Sequence, residues 1–168
     1  VRLKSNEGAF ICCGNAKWTS DGSALYAAYS SLGMFSPGLW RVDAASGEVS
    51  TLIKGDAGNG VFNFADTPYL APDGQLYYFF VSMPAGGDVT NRVPLQLVKS
   101  APDGVTNRTV LRPESYQLMN QALWSPDASF VVVALAPIPD VYEGGAAQLV
   151  YTAGQKGGIS LLPFAMQM

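Results

Sequence analysis

Only a few residues in this chain have the type and placement to do chemistry, and all of them must act without imidazole, because the sequence has no histidine. A Ser-His-Asp triad, a Cys-His pair and a His-bearing zinc or iron site within this chain are therefore excluded. Three aspartates recur at near-equal spacing: Asp21, Asp73 and Asp127. Each invites a calcium reading, but a calcium loop needs several oxygen ligands close together, and each of these segments offers one carboxylate. Turn capping explains them better, since Asp21 and Asp73 each precede a glycine. Paired carboxylates for general acid-base work would have to come from Asp88, Asp140 and Glu143. Their spacing does not favour catalysis over ordinary solvated charge. Ser20, Ser125 and Ser160 have no local base, and G-x-S-x-G does not occur.

The remaining reactive residues read as structural. Cys12 and Cys13 are adjacent, with Cα atoms about 3.8 Å apart, closer than the usual disulfide span, so they are expected to be small apolar fillers. The glycines in 55–60 read as a loop between repeats, because no βαβ setting surrounds them to make a phosphate cradle. Asn107-Arg108-Thr109 matches the glycosylation triplet, a pattern short enough to arise by chance. The sequence thus predicts a protein that is not an enzyme, with no catalytic residues, no cofactor and no metal.

These residues sit in a chain of 168 residues, 48% apolar and only 14% charged. The apolar fraction excludes a disordered chain, and the length suits one domain with a real core. Ten dispersed basic residues against 13 acidic ones give a net charge of −3, which argues against nucleic acid as a partner. The apolar run at 131–137 is far too short for a transmembrane segment. The opening Val1-Arg2-Leu3-Lys4 is neither an initiator Met nor a signal peptide, which fits a removed leader or a piece of something longer.

The elements that position the aspartates form a repeat. Trp18-Thr19-Ser20-Asp21-Gly22, Leu70-Ala71-Pro72-Asp73-Gly74 and Trp124-Ser125-Pro126-Asp127-Ala128 align, with 52 and then 54 residues between the aspartates. An aromatic residue, Phe10, Phe62 or Tyr116, stands eleven residues before each. An apolar run follows each turn: Ala24-Leu25-Tyr26-Ala27-Ala28, Leu76-Tyr77-Tyr78-Phe79-Phe80 and Phe130-Val131-Val132-Val133-Ala134. Further on, Leu39-Trp40-Arg41-Val42-Asp43, Leu95-Gln96-Leu97-Val98-Lys99 and Gln148-Leu149-Val150-Tyr151 each lead to a glycine-bearing turn. A last short strand follows, at 49–53, 106–111 and 159–164. Each unit reads as four strands, a to d, with no long helix. Strand b is apolar enough to be buried on both faces. The expected fold is all-β, three four-stranded antiparallel blades of a β-propeller, with a sandwich or jelly roll as the competing architecture.

The residues Trp18, Asp21-Gly22, Trp40, Val42-Asp43 and Ser46-Gly47, with Pro72-Asp73-Gly74 and Trp124-Ser125-Pro126-Asp127, resemble the TolB-like propeller repeat over about residues 8–164. The second unit lacks the Trp, and the third has Ala128 where that family prefers Gly. The resemblance implies a bacterial protein exported to the periplasm, the cell envelope or the outside. It implies either a partner-binding scaffold or a domain that gates substrate for a hydrolase domain elsewhere.

The single repeat domain, 1–168, divides into a trailing or closing strand at 1–7 and blades at 8–55, 56–112 and 113–168. Propellers usually close with about 4–8 blades. Three blades therefore imply a partial propeller, completed by further blades, by a second copy in a homodimeric six-bladed ring, or left as an open array. Trp18 and Trp124 are expected in the core between blades, and Phe10, Phe62 and Tyr116 with them. The b-to-c connections at 30–37, 82–94 and 135–146 are long and unlike one another. They bear Met34, Phe35, Met83, Ile138, Val141 and Tyr142 beside Asp88, Asn91, Arg92, Asp140 and Glu143. Apolar anchors next to polar orienters predict a rim that binds a protein or peptide partner, chiefly through Phe35, Tyr142 and Arg92.

Overall fold

The computed structural model describes residues 15–29, 38–84, 95–111, 116–125, 130–137, 147–152 and 159–161. Every regular element among them is a β-strand, and every pairing is antiparallel between neighbours in sequence. Sheet I holds β1 (Asn15–Trp18), β2 (Ala24–Tyr29), β3 (Gly38–Asp43) and β4 (Val49–Ile53). Sheet II holds β5 (Asp56–Gly58), β6 (Val61–Leu70), β7 (Leu76–Pro84), β8 (Gln96–Ser100) and β9 (Thr109–Val110). Sheet III holds β10 (Tyr116–Trp124), β11 (Phe130–Pro137), β12 (Ala147–Thr152) and β13 (Ile159–Leu161). The all-β class is as expected. Among the described residues no helix is long and apolar enough to cross a membrane.

Several boundaries differ from the sequence expectation, among them that of β11, which runs to Pro137 and takes 135–137 from the connection expected at 135–146. Segment 55–60 is not simply a loop: β5 pairs Asp56 with Phe62, so sheet II has five strands rather than four. The tight reversal uses Asn59 at φ 53° between two glycines, Gly58 and Gly60, that also have positive φ. At the other end of the sheet, β9 starts at Thr109 rather than 106, because Thr106 still bonds to Asp103 in the preceding turn. Finally, β7 runs past its apolar run to Pro84, held there by the length of β6, so that Met83 faces Phe62 across the ladder.

Alternation along the strands gives sheet II two apolar faces. Residues directly opposite in an antiparallel pair share a face, and successive residues switch faces. Leu76 and Tyr78, with Val98 and Ala65, lie on one face and pack against Tyr26, Ala28, Leu39 and Ile53 of sheet I. Leu52, Leu70 and Phe80 close the margins of this core. Tyr69 and Tyr77 are opposite one another in register, lie on the other face, and meet Trp124. This explains why Leu76-Tyr77-Tyr78-Phe79 is buried without interruption.

Two tyrosine hydroxyls reach the turn between β8 and β9. Tyr78 donates to the Gly104 carbonyl at 2.5 Å, and Tyr26, from the facing sheet, reaches the Pro102 carbonyl at 3.3 Å. Arg108 donates to the same Gly104 carbonyl at 3.0 Å while its guanidinium lies 4.1 Å from the centre of the Phe80 ring. The turn of sheet II is thereby tied to the seam between sheets I and II. Burial raises the pKa of both Tyr26 and Tyr78 above the ordinary phenol value.

Candidate interaction surfaces

Counted from β1, β6 and β10, the first and third connections of each meander lie at one end of the sheet and the second at the other. The first kind of end is tightly built. Asp21 accepts from the Thr19 hydroxyl at 2.6 Å, the Ser23 amide at 3.0 Å and the Ser23 hydroxyl at 2.8 Å. Asp73 accepts from the Gln75 amide at 2.9 Å. Asp43 accepts from the Ala45 and Ser46 amides, and Asp103 from those of Val105 and Thr106. Backbone bonds Thr19–Ala24, Asp43–Glu48, Ala71–Gln75 and Ala101–Thr106 close the same four turns. Asp21 and Asp73 therefore cap their turns, while Asp127 lies outside the described residues.

Hydrogen bonding sets the acidity of these carboxyls. The Thr19 hydroxyl, then the Ser23 amide and hydroxyl, lower the pKa of Asp21 to about 2. Ser46 does most to lower that of Asp43, and Thr106 that of Asp103. A depressed carboxyl stabilises the fold above its ordinary pKa and loses that contribution as pH falls through the depressed value. Replacing Asp21 by Asn is expected to lower the thermal midpoint at neutral pH. The gap from the unmodified chain should close as pH falls from about 4 towards about 2. Melting curves across that range check it; a gap of constant size would show that charge plays no part in the turn.

The opposite end carries the connections between β2 and β3, β7 and β8, and β11 and β12, with the tight β5–β6 reversal beside them in sheet II. Of the residues expected to form a binding rim there, Met83 is described. It sits half-buried in strand β7 and not in the loop where the sequence placed it. Met34, Phe35, Asp88, Asn91, Arg92, Asp140, Tyr142 and Glu143, with Ile138 and Val141, lie outside the described residues. So do Cys12, Cys13 and Phe10. Phe62 is half-buried in β6, and Tyr116 opens β10.

One feature of β6 had no counterpart in the sequence reading. The register breaks between Asp66 and Tyr69, and Thr67 takes φ 46°, an uncommon conformation for a β-branched residue. Asp66 and Thr67 are both buried, and the Thr67 amide donates to the Asp66 carboxylate at 2.6 Å. The Thr67 hydroxyl is buried without a hydrogen-bond partner. Proline within a strand is the sequence signal for such a bulge, and Pro68 supplies it. The bulge turns the Thr67 carbonyl towards the next sheet, where the Trp124 indole N–H lies 3.4 Å away.

Trp124 and Trp18 end corresponding strands but have different surroundings. The Trp124 ring stacks on Tyr69 with centroids 5.4 Å apart and planes within 10°, and lies 5.4 Å from Tyr77 at a tilt of 51°. Trp18, expected in the core, is 58% exposed. The physical reason is that the tyrosine pair on which Trp124 rests is a property of sheet II, and among the described residues nothing equivalent faces Trp18. Comparison with protein-family models, with curated proteins and with solved structures found no match.

Proposed function

We propose that this chain is a non-enzymatic binding scaffold, three blades of a TolB-like β-propeller, that recognises a protein or peptide partner through its b-to-c loop end. The observation behind this reading is the contrast between the two ends of the sheets. At one end, four turns are closed by backbone bonds and aspartate side chains. At the other, the segments 30–37, 85–94 and 138–146 differ in length and sequence and concentrate apolar and charged groups that turn geometry does not require. A rigid support with variable loops on one face is how repeat scaffolds acquire partners. The described carboxylates Asp21, Asp43, Asp73 and Asp103 are engaged in turns, which favours binding over acid-base chemistry at that end. An exported bacterial setting accompanies this reading.

The test uses the chain with Phe35→Ala and Tyr142→Ala. A partner is captured from a bacterial envelope fraction, purified, and titrated against both forms. Loss of two aromatic anchors should weaken binding by at least about tenfold. Equal affinity, with the β spectrum unchanged, would remove the rim from consideration.

A further inference from the structure

Asn107-Arg108-Thr109 is the one place in the chain where serine or threonine stands two residues after an asparagine. The fold gives this triplet a definite geometry. It joins the β8–β9 turn to β9, the outer strand of sheet II. Backbone bonds from Ala101 to Thr106 and from Gly104 to Ala101 close the turn before it, and the Asp103 carboxylate accepts from the Val105 and Thr106 amides. Asn107 then takes φ 55°, a left-handed conformation that asparagine tolerates better than most residues with a side chain. The chain thus leaves the turn with Asn107 exposed.

Arg108 turns the opposite way. Its guanidinium donates to the Gly104 carbonyl at 3.0 Å and lies 4.1 Å from the centre of the Phe80 ring, and its Nε is buried. Asn107 and Thr109, on either side of it, are both exposed. The inward anchor of the middle residue leaves the amide and the hydroxyl, the two groups a glycosylating enzyme reads, on the solvent side. The surroundings are of a kind that a sugar would improve. Both residues of β9 are exposed, and β9 ends its sheet among the described residues. An open edge invites pairing with a foreign strand, and native proteins cover such edges or place charge on them. Val105 and Val110 are two of the three large hydrophobics exposed among the described residues, at 54% and 53%. They stand two residues before the triplet and one after it.

We propose that Asn107 is the acceptor for an N-linked oligosaccharide, and that the sugar covers the open edge of sheet II at Val105 and Val110. The donor is an oligosaccharide carried on a lipid pyrophosphate, met as the chain is exported. The Asn107 Nδ2 forms a bond to C1 of the first sugar and gives up one proton. The bond from C1 to the pyrophosphate oxygen breaks, and the lipid pyrophosphate leaves. A bulky, hydrophilic group added at an exposed turn residue asks for no change in the sheet. The bonds that seat the turn, from Tyr78 and Arg108 to the Gly104 carbonyl, face the protein and stay as they are. The site lies at the turn end of sheet II, away from the b-to-c loops, so failure of this inference would leave the loop-end reading standing.

Translation of the full 168-residue chain behind a cleavable leader, with microsomes that hold the glycosylating enzyme and its lipid-linked donor, tests the acceptor. Imported chain, recognised by its resistance to added protease, is expected to gain one glycan that peptide-N-glycosidase removes. Peptide masses should place it on Asn107. Asn107→Asp and Thr109→Val should abolish the gain, and Thr109→Ser should keep it. Aspartate tolerates the left-handed conformation and valine suits a strand, so both variants are expected to keep the β spectrum. Light scattering on purified glycosylated chain, before and after removal of the sugar, tests the covering role. Without the sugar, association should begin at a concentration lower by at least about tenfold. Imported chain that stays unmodified, or a glycan that survives Thr109→Val, would overturn the acceptor. Equal association with and without the sugar would overturn the cover over the sheet edge.

Discussion

Replacing Leu76 by Ala is expected to destabilise the protein by about 2–5 kcal/mol. Leu76 has no exposed surface and sits where two sheets meet, among Tyr26, Leu39 and Ile53 of one and Tyr78 and Val98 of the other. Truncation removes the transfer free energy of the lost carbons and leaves a cavity. The strands that would have to shift to fill it are held by ladders on both sides of Leu76, to Leu70 and to Ser100. A loss of that size is a large part of the about 5–15 kcal/mol that typically holds a domain together. Urea unfolding gives the measurement: the midpoint should fall with little change in slope, as expected of a cavity in an otherwise native fold. Leu25→Ala, at the half-buried place across from Trp18, should cost much less. Equal losses at the two positions would mean that the seam between sheets I and II is not the main core.

Gly104→Ala is expected to cost about 2–4 kcal/mol, the sum of a backbone penalty and a packing penalty. Gly104 lies at φ 76°, in the left-handed region that L side chains rarely adopt. A Cβ there would come within 3.0 Å of a Leu39 methyl and 3.4 Å of Ile53 Cγ1, both in the core of the facing sheet. The same carbonyl accepts from Tyr78 and Arg108, so the turn cannot swing away without giving up those bonds. Gly22 is the natural control. It has φ 70°, and a Cβ there meets nothing within 4 Å. Gly22→Ala should therefore show the backbone penalty alone, about 1–2 kcal/mol. The difference between the two variants measures how firmly the turn of sheet II presses on sheet I; no difference would mean that the turn yields.

The strands next to the aspartate turns were legible because local chemistry fixes them. An Asp-Gly reversal followed by an apolar run places β2 and β7, and the first strands end at Trp18, Leu70 and Trp124, as the alignment predicts. The limits of β4 agree as well, since Val49–Ile53 is a run of good strand formers after a glycine-bearing turn. Features imposed by a neighbour were not legible. Nothing in Asp56-Ala57-Gly58 favours a strand, and it becomes one because β6 is long enough to offer a partner. Met83 belongs to β7 for the same reason. The exposure of Trp18 could not be foreseen by comparing it with Trp124, because residue type and position match and only the sheet opposite differs. For the loop end, the sequence expectation at Phe35, Arg92 and Tyr142 rests on residue type, since those positions lie outside the described residues.

The nearest-neighbour strand order has a consequence for how the chain acquires its structure. Among the described residues every ladder joins segments adjacent in sequence, so none of these strands has to wait for a distant partner before it can pair. Short loops cost little entropy to close, and proteins built from such local pairings fold faster than those whose sheets interleave remote segments. During synthesis the strands of sheet I leave the ribosome first and can pair among themselves. Tyr26, Leu39 and Ile53 then stay uncovered until Leu76, Tyr78 and Val98 have been made. In the interval between those two stretches the nascent chain exposes this part of its future core, and a chaperone would have it to bind.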